Sequence, residues 1–187
     1  MNFFLFTVMI FFIFGCGKNI QDVGYKPNPA SVIISAIEKK VFHRLQIEKN
    51  LYPFEFGGKG KDPIKLLHFG FLYFNEIEIE EARELIITAG NQFLNEINAN
   101  EQIRPYLANF PFKLENIQVE IFLKRPDKSE IGFEKLHVIT MKDGEVRYKI
   151  RSAETKRLTT TYKETYEEAE AELNAGNALS LCTSKEL

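Results

Sequence analysis

Asp143-Gly144 separates two runs of alternating hydrophobicity, Phe133–Lys142 and Glu145–Arg151. A two-residue Asp-Gly loop closes a type I′ hairpin, because both positions must adopt positive φ and the resulting twist matches that of the flanking strands. Fixing the turn fixes the register. Met141 then faces Val146, Ile139 faces Tyr148 and His137 faces Ile150, which makes one apolar face. The opposite face pairs Thr140, Val138 and Leu136 with Arg147, Lys149 and Arg151. Such a hairpin favours an antiparallel sheet around it.

Other segments read as partners for that sheet. Ile64–Phe74 is apolar on both alternating faces, the pattern of a strand covered on both sides. In Glu115–Lys124, Ile117, Val119, Ile121 and Leu123 alternate with Gln118, Glu120, Phe122 and Lys124, giving a half-buried strand. Leu158–Tyr162 reads as a further paired strand. Asn28-Pro29 is a helix start, with Asn as cap and Pro in the first turn. Ile34, Ile37, Val41 and Leu45 follow at helical spacing to about residue 48, against a polar side of Glu38, Lys39, Lys40 and Arg44. A second helix spans Glu78–Asn98, striped by Ala82, Ile86, Ala89, Phe93 and Ile97. A short helical piece lies near Glu101–Ala108. A last helix spans Lys163–Asn174 and stops at Gly176. Asn50–Pro63, with its three glycines and two prolines, reads as a loop; its Gly-Lys is followed by Asp62, not by the Ser or Thr of a phosphate-binding loop. The expected fold is α+β: an antiparallel sheet of about four strands with helices packed on one face, preceded by a signal peptide.

The N-terminus carries different information. Phe3–Phe14 is apolar except for Thr7, and as a helix it would reach about 18 Å, short of the roughly 30 Å hydrocarbon core of a bilayer. That length suits the apolar region of a signal peptide. Ile13-Phe14-Gly15-Cys16 follows, and it resembles the lipobox of bacterial lipoproteins. The resemblance implies that Cys16 is lipidated on its thiol and becomes the first residue of the mature chain. It further implies a membrane-anchored location in the cell envelope, facing the periplasm or the surface. An uncleaved anchor over residues 1–17 is the alternative. The organisation is then a signal peptide over 1–15, a lipidated Cys16 with a tether over 16–28, one α+β domain over 29–176 and a tail over 177–187. Cys182 is an incidental thiol in a polar stretch, and lipidation of Cys16 would leave it no partner for a disulfide.

Composition excludes several function classes. The hydrophobic share of 44% and charged share of 27% are those of a globular domain. A net charge of -2 gives no global field toward nucleic acid, and Tyr148 points away from the basic residues instead of interleaving with them. The three histidines, His43, His68 and His137, show no metal-ligand spacing, so neither metal nor cofactor is expected. Glu78, Glu80, Glu81 and Glu84 are explained by the favourable helix N-terminus. The candidate binding surface is the stripe Arg147, Lys149 and Arg151, suited to a protein or anionic envelope partner. The best reading is a non-enzymatic binding or structural module held at a membrane. The alternative is a lipid-anchored hydrolase with a site assembled around His68 and His137.

Overall fold

The computed structural model describes residues 27–60 and 62–183. The expected signal peptide, Cys16 and most of the tether therefore lie outside the described residues. Helix α1 covers Pro29–Lys49. The Asn28 side chain accepts a hydrogen bond from the Ala30 N–H at 2.9 Å, and Asn50 closes the helix in a left-handed conformation. Strands β1 (Tyr52–Lys59) and β2 (Leu66–Tyr73) precede helix α2 (Ile79–Ala99); β3 (Ile117–Leu123), β4 (Leu136–Lys142), β5 (Glu145–Arg151), β6 (Leu158–Thr165) and α3 (Tyr166–Thr183) follow.

The strands form one six-stranded sheet in the order β1-β2-β3-β4-β5-β6. The α+β class is as expected, but the sheet is larger than four strands and is mixed. Strand β2 runs parallel to β3, with Leu67 beside Ile117 and Tyr73 beside Leu123. The physical reason is the connection: α2 lies between these strands in sequence, and a helical crossover delivers the next strand in the same direction. Every other neighbouring pair is antiparallel. The strand with no counterpart among the segments read as strands is β1, which occupies the segment read as a loop. It lies at the edge of the sheet, where proline and glycine are tolerated. Phe54 is accommodated as an extra residue between the pairs Pro53–Phe71 and Glu55–Gly70.

The hairpin forms as its turn requires. Asp143 and Gly144 have φ of 53° and 74°, and Met141–Val146, Thr140–Arg147, Ile139–Tyr148 and Val138–Lys149 are paired. A bulge between Leu136 and Val138 then shifts the far end, so that Leu136, not His137, sits opposite Ile150. Helix α3 begins three residues later than expected and continues through Gly176. Gly176 lacks the positive φ of a helix-ending glycine, and a glycine inside a helix costs only about 1 kcal/mol.

The core lies between the sheet and the three helices. Phe69, Phe71, Val119, Ile121, Ile139, Met141, Val146 and Tyr148 are fully buried on this face. Phe93 of α2 stacks on Phe69 with 3.5 Å between ring centroids, and Phe42 of α1 meets Phe69, Phe71 and Phe93 edge-on. Tyr166 and Ala169 bring α3 into the same cluster. Among the described residues no helix is long and apolar enough to cross a membrane.

Candidate functional site

Because side chains alternate across a strand, the residues between these core positions project from the other side of the sheet. Among the described elements no helix packs there. From β1 to β6 that open face carries Glu55, His68, Glu120, Thr140, the pair Arg147 and Lys149, and Lys163, in register across the sheet. Its two ends differ in chemistry.

The first end is built around a glycine. Gly70 pairs with Glu55 on one side and Glu120 on the other. A methyl group at Gly70 would lie 2.5 Å from Glu55 Cγ, so the missing side chain is what lets Glu55 lie across β2. His68 stands two residues before Gly70 on the same face. Its Nε2 is 3.6 Å from Glu55 Oε1 and 3.9 Å from Glu120 Oε2, and the atom is buried without a hydrogen-bond partner among the described residues. Gln118 donates from its side-chain amide to Glu120 Oε1 at 2.9 Å, which leaves Oε2 turned toward the histidine. One donor atom from each of Glu55, His68 and Glu120 lies within 4.8 Å of the others. An aromatic margin adjoins the cluster, with Phe54 against Phe122 at 5.8 Å and Tyr52 against Phe74 at 5.4 Å.

The second end holds the basic stripe. Arg147, Lys149 and Arg151 do share the open face, but their charge is partly cancelled locally. Glu145 accepts from both Arg147 and Lys163, and these bonds, that of Lys163 first, hold its carboxyl below the usual range. Arg151 lies 3.9 Å from Glu130, which also pairs with Lys124. The result is a face of mixed sign, not a cationic track.

His68 and His137 do not form a joint site. His137 sits at the β4 bulge, 3% exposed, with Nδ1 at 2.9 Å from the Lys135 carbonyl oxygen. Strand β3 lies between the two histidines, and the register separates them further along the strands, to a distance on the order of 15 Å. The carboxylate partners of His68 were not legible in sequence. Glu55 lay in the supposed loop, and Glu120 comes alongside only through the parallel β2–β3 pairing. The one available signal was the period-two spacing of Tyr52, Phe54 and Phe56, which marks a strand.

A groove of ≈ 890 Å³ lies on the other side of the molecule between α1 and β1, lined by Glu38, Lys39, Phe42, His43, Pro53 and Phe56 among others. Glu38, read as part of the polar side of α1, is only 4% exposed. It shares the inward stripe with Ile34, Val41 and Leu45 and lines a small cavity with Gly57 and Gly58 of β1. Burial pushes its carboxyl up to about 7, and Oε1 has no hydrogen-bond partner among the described residues. The chain matches no protein-family model, and neither a curated protein nor a solved structure is significantly similar to it.

Proposed function

We propose that the protein is a lipid-anchored envelope protein whose domain acts as a non-enzymatic binding module, with the open sheet face as its contact surface and a protein as its partner. The observation that carries this reading is the placement of all three helices on one side of the sheet, which leaves the other side without a helical cover: Phe54 and Lys163 are exposed there and Arg147 and Lys149 half-buried, over a buried Val138 and Thr140. Its composition selects among partners. A polyanion would favour an uncompensated basic row, whereas here Glu145 and Glu130 neutralise much of the stripe. Charges of both signs beside exposed aromatics such as Phe54 suit a protein surface with complementary charge. Lipid on Cys16 would place the domain near a membrane. The twelve residues from Gly17 to Asn28 reach at most about 40 Å when fully extended.

Site-specific photo-crosslinking in intact bacterial cells tests the surface. A photoreactive residue replacing Lys149 on the open face should yield a discrete protein adduct, and one replacing Lys39 at the groove between α1 and β1 should not. Adducts from Lys39 alone, or attachment of Lys149 only to anionic polymer or lipid, would refute the assignment.

A further inference from the structure

The spacing of Glu55, His68 and Glu120 does not suit hydrogen bonding. A direct N–H···O bond requires a separation of at most about 3.2 Å, and both carboxylates stand farther than this from Nε2. Donor atoms that share one small cation are spaced differently. With bonds of about 2.1 Å at tetrahedral to trigonal angles, neighbouring ligands lie about 3.4–3.6 Å apart. The His68–Glu55 separation of 3.6 Å fits this spacing, and Glu120 at 3.9 Å needs only a small movement.

We propose that Glu55, His68 and Glu120 bind a divalent transition-metal ion of the zinc type. One imidazole and two carboxylates are borderline-to-hard donors that suit zinc, whereas calcium and magnesium prefer all-oxygen sets. Three further features support a built site. Nε2 of His68 is buried yet lacks a partner. Gln118 orients Glu120 from outside the ligand set, as partners of metal ligands commonly do. Gly70 creates the space through which Glu55 reaches His68. Three protein ligands leave a coordination position on the solvent side, available to water or to a carboxylate or phosphate oxygen. The inference goes beyond the reading of the open face as a contact surface, and it uses neither the lipid nor the partner.

The test uses the full chain, untagged, detergent-solubilised and freed of metal, titrated with zinc. Calorimetry is combined with histidine-selective 15N–1H spectra. Zinc should shift the ring resonances of His68 and leave those of His43 and His137 in place. His68→Ala should abolish this binding. Gly70→Ala and Gln118→Leu, which remove no ligand, should weaken it about 10- to 100-fold while keeping the thermal melting of the metal-free protein. If Gly70→Ala fails to fold, Gln118→Leu alone carries that comparison, and Glu55→Ala, which removes one ligand at the exposed edge, should also weaken binding. Unmoved His68 resonances, or affinity in His68→Ala equal to wild type, would overturn the site. Loss of the site with an intact Lys149 adduct refutes the metal alone; zinc binding without that adduct refutes the protein contact surface alone.

Discussion

Glu38 shows how one side chain can depart from an otherwise regular helical pattern. It is held among apolar neighbours in α1, where water is scarce and the neutral carboxyl is favoured. Its pKa in the folded chain, about 7, lies above the ordinary 4.5. The folded state therefore binds more protons than the unfolded state between these values. The stability Glu38 permits is complete below about pH 4.5 and is lost as pH rises through about 7. Urea unfolding at pH 5 and pH 8 should show wild type losing on the order of 2 kcal/mol over that interval, after allowance for solvent at the groove mouth. Glu38→Gln should flatten the dependence, and an unchanged slope in that variant would contradict the assignment. Glu130, Glu145 and Glu168 have lowered pKa values and lose their contribution only at lower pH, outside the window. Residue identity alone did not reveal Glu38 as buried, because a stripe of apolar residues tolerates one protonated carboxyl. The Glu55–His68–Glu120 cluster was hidden for a different reason: its members lie far apart in sequence and meet only through strand pairing.

At the scale of elements, a buried charge network joins α2 to the β5–β6 hairpin. Glu164 accepts from Tyr148 Oη at 2.5 Å and from Arg83 Nε and Nη2 at 2.9 and 3.2 Å. The Glu164 side chain is 3% exposed and that of Arg83 12%. Removing one member of such a pair leaves the other charge buried and unpaired. Glu164→Ala should cost about 3–5 kcal/mol in urea unfolding, and Glu164→Gln, which retains an acceptor for Tyr148, should cost less. A loss below about 1 kcal/mol for the alanine variant would show that the pair behaves as an exposed one. The elements most readable in sequence were those with a local cause: the Asp143-Gly144 hairpin, the Asn28-capped α1 and the periodic α2. Strand β1 was obscured because Pro53, Gly57 and Gly58 disfavour interior strands, and only an edge position accommodates them. The bulge at His137 likewise has no counterpart in simple alternation.

For the whole molecule, the mixed sheet explains why one face is available. Helix α2 crosses from β2 to β3 on the same side that α1 and α3 occupy, so the apolar stripes of all three helices meet in one core. Fold class and helix placement were legible because hydrophobic periodicity reports burial directly. Strand order and the parallel pair were not, since they depend on long-range contacts that no local pattern encodes. The functional reading joins this asymmetric domain to lipid on Cys16. Two or three acyl chains, each buried methylene contributing about 0.8 kcal/mol, would hold the domain near the membrane surface. Fatty-acid labelling with intact-mass analysis, comparing wild type with Cys16→Ala after bacterial expression, measures this directly. The account predicts a wild-type chain that begins at Cys16 and carries lipid mass, with the label lost in the variant. A wild-type chain that keeps Met1 and carries no lipid would contradict it.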